Sequence, residues 1–186
     1  MYNETFPAAL VGKVKFLRDL DEEAFLRQIS EGFYRITKEK PSVEQVNAWK
    51  ESWKHLKDLF FKLPEDITVI FEYKLPMSQE RIDVIFLGSS NSENVGFILE
   101  LKGWKSVNTF DSSYIVKTDS GESIHPELQV LNYLGKIKFS HSEADKFLWK
   151  CGVWMYNMEE QEKFRETFKN SIPFFKDDKD KLASGS

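Results

Sequence analysis

Cysteine is nearly absent. Cys151 stands alone among 186 residues, so neither an intrachain disulfide nor a cysteine-type zinc site can form. Histidine is scarce as well, and His55, His125 and His141 lack ligand-like spacing. No uncharged apolar run approaches the 18 or so residues that a transmembrane helix needs. The first residues, MYNETFPAALVGKVKFLRDL, lack the basic start and long apolar core of a secretory leader. A reducing cytoplasm is therefore the expected location. Basic charge is also in short supply: 26 Lys and Arg stand against 30 Asp and Glu, for a net charge of −4. That argues against a protein that coats nucleic acid through an overall positive field, while leaving room for a local basic groove.

What is present fits one globular domain with a sizeable core, 41% hydrophobic and rich in phenylalanine, with 16 copies. No repeat or low-complexity linker divides it. Residues 1–40 read as an N-terminal helical segment packed on the core, residues 41–180 as the main domain, and residues 181–186 as a tail or cloning scar.

Residues 21–36 place Phe25, Ile29 and Phe33 at helical spacing behind acids suited to the helix dipole. Over residues 41–63, Val46, Trp49, Trp53, Leu56, Phe60 and Leu63 form one apolar stripe, with Ser42 placed to cap it and Pro64 just beyond. Strand-like runs follow at 67–73, 81–88 and 95–102. The last two form a hairpin across a long polar tip, SSNSEN. A further strand is expected at 113–118, then a helix over 125–139 with Pro126 at its first position. An interior strand at 146–157 and a polar surface helix at 159–170 complete the chain. This order describes an α/β domain with a mixed sheet.

Charges interrupt the apolar strands at particular places. Side chains alternate along a strand, so Glu100 and Lys102 share a face with Ile98. Antiparallel pairing brings Asp83, on the preceding strand, close to Glu100 on the common face. Two neighbouring carboxylates raise a pKa or recruit a cation. A hard divalent ion such as Mg²⁺ suits them, with the Leu101 backbone carbonyl as a further oxygen ligand. Lys102 then sits where it can orient an attacking water or stabilise charge on a phosphate. A Glu-x-Lys triplet arises by chance in about one chain in two of this composition, and a strand end surfacing in water is the plain alternative. Two further features favour chemistry. Asp83 occupies its own apolar strand, and Gln129 and Tyr133 lie at i and i+4 on one face of the following helix. His125, at the entrance of that helix, is a candidate phosphate contact.

The motifs RIDVIFLG, ILELKGW and HPELQVLNY, in this order, resemble the PD-(D/E)XK phosphodiesterase superfamily. Within it they are similar to RecB-like nuclease domains of the type placed ahead of superfamily-one helicase-like ATPases. The likeness spans roughly residues 40–157, and Gln129 and Tyr133 match the Gln-x-x-x-Tyr helix motif. It implies a restriction-endonuclease-like core, a central mixed sheet flanked by helices, with residues 41–180 as the nuclease-like domain. It also implies Mg²⁺ or Mn²⁺ held by Asp83 and Glu100, Lys102 as the catalytic lysine, and cleavage of DNA or, less often, RNA. Many members add an acid from an N-terminal helix, for which Glu51 and Glu44 are candidates, with Glu72 a rival on the preceding strand. Ile82 replaces the proline of the family motif. No phosphate loop accompanies the site, so any helicase-like ATPase would be a separate domain or subunit. The competing reading is a catalytically inactive nuclease-like module that binds nucleic acid or protein.

Overall fold

The computed structural model describes residues 6–110 and 114–184. Strand β1 (Ala8–Lys13) leads into a one-turn helix α1 (Val14–Leu17) and two long helices, α2 (Glu22–Thr37) and α3 (Val43–Phe60). A meander of β2 (Thr68–Lys74), β3 (Arg81–Ser90) and β4 (Glu93–Lys102) follows. The chain then makes a separate small sheet from β5 (Val107–Phe110), β6 (Ile115–Thr118) and β7 (Gly121–Ile124). Helix α4 (Pro126–Ser140) returns it to β8 (Phe147–Met155), and α5 (Glu162–Arg165), β9 (Ile172–Phe174) and α6 (Lys179–Ser184) close the fold.

The main sheet has the order β1-β2-β3-β4-β8-β9. Its first four strands pair antiparallel, whereas β4 with β8 and β8 with β9 run parallel. Joining β4 to its parallel partner requires a crossover, and α4 lies within it. The long helices start where capping chemistry allows. Asp21 accepts from the Ala24 N–H, Ser42 accepts from the Gln45 N–H, and Pro126 opens α4 where its missing N–H is harmless.

Both faces of the sheet are covered, which is why β2, β3 and β4 read as nearly continuous apolar runs. On one face, Phe25, Trp49, Trp53 and Phe60 of α2 and α3 pack on Phe71, Val84, Leu99 and Trp154. On the other, Val130, Tyr133 and Ile137 of α4 pack on Ile85, Ile98 and Val153. Among the described residues no helix is long and apolar enough to cross a membrane.

Several local expectations need correction. Residues 1–40 are not helical throughout, because residues 8–13 form β1 and pair with β2. The polar tip of the β3–β4 hairpin is short. Pairing continues to Ser90 and Glu93, and only Asn91 and Ser92 turn, both with positive φ as a two-residue hairpin requires. The strand expected at 113–118 spans 115–118 and belongs to the small sheet; Ser113 lies outside the described residues. The polar helix expected at 159–170 shrinks to α5, since Phe164 and Phe168 turn inward. The supposed tail enters α6, whose Leu182 is buried against the core, while residues 185 and 186 lie outside the described residues.

Candidate active site

The charged groups gather where β3 begins and β4 ends. Val84 pairs with Leu99 and Ile85 with Ile98, and this register continued by one residue sets Asp83 opposite Glu100. Asp83 Oδ2 accepts the Leu101 N–H at 2.8 Å, and the Asp83 and Glu100 carboxyl groups lie within hydrogen-bond reach of each other. Glu100 is only 2% exposed. Its Oε1 accepts Lys102 Nζ at 2.8 Å, while Oε2 is buried without a partner. Lys102 Nζ also donates to Gln129 Oε1 at 2.9 Å, and Gln129 Nε2 donates to Tyr133 Oη at 2.7 Å. Helix α4 therefore fixes the lysine from above, through two residues one turn apart.

The approach of Asp83 departs from simple strand alternation. Phe71 pairs with Val84 and Tyr73 with Ile82, yet the first pair is buried on the α2/α3 face and the second on the α4 face. The reversal falls at Glu72 and Asp83, and Glu72 takes φ +49, a backbone state that costs a non-glycine residue energy. Asp83 consequently borders a cavity of about 140 Å³ on the α3 side, while Glu100 and Lys102 meet α4. The two carboxylates converge from the two faces at the end of the sheet.

Burial is the main cause of the electrostatic tension here. It raises the Asp83 carboxyl well above the usual carboxylate range, with Glu100 and then Glu72 adding repulsion. Burial likewise raises Glu100, against the opposing pull of Lys102. The Tyr133 phenol is also pushed up, first by burial and then by Glu100, so it remains a neutral hydroxyl.

The acids proposed as a third ligand fall in different places. Both oxygens of Glu72 are committed: Oε1 accepts Trp49 Nε1 at 2.8 Å and Gln45 Nε2 at 3.4 Å, and Oε2 accepts Arg81 Nε at 2.8 Å. Glu44 is tied to the start of α3 by its own backbone N–H and Ser42. Glu51 is exposed on α3 and close enough to Tyr156 for its charge to raise the phenol's pKa. His125 does not face the site as a phosphate contact. It is 5% exposed, its Nδ1 accepts the Glu127 N–H, its Nε2 is bonded to Thr167 Oγ1, and Phe164 and Phe168 pack on its ring. Trp49 and Arg81 are neighbours of the site that spacing did not reveal, since each bonds to Glu72 from a different element. Arg81 at least stood two residues from Asp83 in a run otherwise apolar.

Among the described residues no group of three or more His, Cys, Asp or Glu side chains is arranged to hold a metal ion. A hard cation such as Mg²⁺ needs fewer, since one or two carboxylates and retained waters suffice. The unpartnered Glu100 Oε2 and the adjacent Asp83 carboxyl fit that requirement. Comparisons with protein-family models, curated proteins and solved structures find no match. Fold and site together define an α/β protein with a central mixed sheet, flanked by helices, carrying an acid–lysine cluster at its strand ends.

Proposed function

We propose that the protein is a divalent-metal-dependent nuclease with a restriction-endonuclease-like core of the PD-(D/E)XK type, hydrolysing phosphodiester bonds in DNA. The observation that carries this reading is the crowding of the Asp83 and Glu100 carboxyl groups beside Lys102, with Glu100 Oε2 buried and accepting no hydrogen bond when Asp83 is ionised. A buried acceptor left bare is unfavourable unless a ligand completes it.

Asp83, Glu100 and the Leu101 carbonyl would hold Mg²⁺ or Mn²⁺, which supplies Lewis-acid stabilisation of the phosphoryl oxygens. Lys102 places an ammonium beside the reacting phosphate, where it orients the attacking water and offsets developing negative charge. Gln129 keeps that ammonium in one rotamer, and the Tyr133 hydroxyl keeps Gln129 in its own. Fixed placement of this kind lowers the barrier because no reorganisation is needed during reaction. Defence against foreign DNA or DNA repair suits such an activity, acting alone or beside a helicase-like ATPase.

Incubation with plasmid and linear DNA in Mg²⁺ or Mn²⁺ tests the reading. The wild type should cleave and Asp83→Ala and Lys102→Ala should not; equal products from all three would defeat it. One observation favours a second reading, a nuclease-like module that binds without cutting. Lys102 is already satisfied by Glu100 and Gln129, and Asp83 by Leu101. DNA or protein binding that survives both substitutions, with no divalent-ion site by calorimetry, would select it.

A further inference from the structure

The cavity beside Asp83 is walled by polar groups from several elements, among them Ser52 of α3, Glu72 and Asp83 of adjoining strands, and Tyr156 just beyond β8. Most of these groups are engaged inside the protein. Ser52 Oγ donates to the Trp49 carbonyl at 3.2 Å, and Glu72 accepts from Trp49, Gln45 and Arg81. Tyr156 differs. The residue is 4% exposed, its ring packed 4.8 Å from that of His55 and 6.3 Å from that of Trp154. Its hydroxyl hydrogen-bonds to no other described group.

That hydroxyl lies against Gly103, the residue after Lys102. A Cβ at position 103 would come within 2.8 Å of Tyr156 Oη, so the glycine makes room for it at the rim of the site. Core packing alone does not account for the oxygen. The oxygen is not sealed from solvent: it opens on the cavity, where phenylalanine would present only carbon. Burial, with Glu51 and Asp83 nearby, pushes the phenol up to about 12. It therefore stays protonated, a neutral donor over the working range of any ordinary enzyme.

We propose that Tyr156 is a substrate-contacting catalytic residue, donating its hydroxyl hydrogen bond to a non-bridging oxygen of the phosphodiester from the α3 side of the site. This rests on the nuclease reading above. Lys102 approaches from the α4 side, so the two donors would bracket the phosphate. The wall can accept an anion because its carboxylates are compensated. Arg81 neutralises Glu72, and a divalent ion held by Asp83 would neutralise the other.

The test is Tyr156→Phe, which keeps both ring contacts and removes only the unpaired oxygen. Its melting temperature should match the wild type, and its KM for DNA should be unchanged. Its kcat should fall about tenfold or more, as when one transition-state donor is deleted. Gly103→Ala, which displaces the hydroxyl, should lower kcat similarly. Wild-type kcat in Tyr156→Phe overturns the inference and leaves the nuclease reading standing. Absence of cleavage by the wild type itself counts against that reading instead. In that case a titration in Ca²⁺ still decides about Tyr156. Protein labelled with ¹³C at tyrosine Cζ is mixed with a DNA duplex, the Tyr156 resonance being assigned by its absence from Tyr156→Phe. Movement of that resonance supports the contact, and a stationary resonance overturns it.

Discussion

In the metal-free protein, Asp83 and Glu100 confine two carboxyl groups beside a single lysine, and burial raises the pKa of each. Asp83→Asn removes one of those carboxyl groups while keeping the side chain's shape and an oxygen to accept the Leu101 N–H. Two like charges about 4 Å apart at an effective dielectric constant of about 20 repel by roughly 4 kcal/mol. Losing the attraction of Asp83 to Lys102 cancels part of the gain, so a net stabilisation of about 2 kcal/mol is expected. For a chain of this length that corresponds to a rise in Tm of about 4–8 °C. The sign of the pH dependence follows from linkage. Because the folded state raises the Asp83 pKa, the folded chain binds this proton more tightly than the unfolded chain does. Its contribution to stability is fully present below the ordinary carboxylate value near about 4 and is lost as pH rises through the folded value. The advantage of Asp83→Asn should therefore be small near pH 4 and grow toward neutrality. Thermal melts in EDTA across that range measure it. Repeating them in Mg²⁺ at about 100 times its Kd should add about 2.7 kcal/mol to the wild type and little to the variant. An Asp83→Asn protein less stable than the wild type at neutral pH, or an equal Mg²⁺ response from both, would refute the electrostatic reasoning.

Two other predictions concern support of the site and of the core. Gln129→Ala frees the Lys102 ammonium from its α4 partner and should lower kcat about tenfold, with DNA affinity unchanged in a gel-shift titration. Phe25, 1% exposed and stacked 4.0 Å from Trp53, anchors α2 and α3 to the sheet. Phe25→Ala should cost about 3–5 kcal/mol in urea denaturation, and a loss below about 1 kcal/mol would show that this aromatic stack is not central to the core.

Local periodicity made part of this protein readable. The tryptophan stripe of α3, the capping residues Asp21 and Ser42, and the proline opening α4 are all short-range signals, and they correspond to the observed helices. The pairing of Glu100 with Lys102, and of Gln129 with Tyr133, likewise follows from spacings of two and four residues. The unread features depend on partners distant in sequence. Strand β1 is six residues long and gains its identity from β2, with Gly32 permitting α2 to lie directly on it; a Cβ there would sit 1.7 Å from the Ala9 carbonyl oxygen. Glu72 reads as an available ligand, but Trp49, Gln45 and Arg81, on other elements, commit both of its oxygens. His125 reads as a phosphate contact at a helix entrance, but Phe164 and Phe168 enclose it, from a segment whose charge suggests a surface helix. The reversal at Glu72 and Asp83 defeats an alternation rule that holds along the rest of the strand pair.

The central claim is that the ends of β3 and β4 form one divalent-ion site. Anomalous diffraction from a crystal soaked in Mn²⁺ addresses it most directly. A single peak contacted by Asp83, Glu100 and the Leu101 carbonyl is expected, absent from Asp83→Asn crystals treated the same way. No peak between those groups at saturating Mn²⁺, or a peak that persists in the variant, would contradict it.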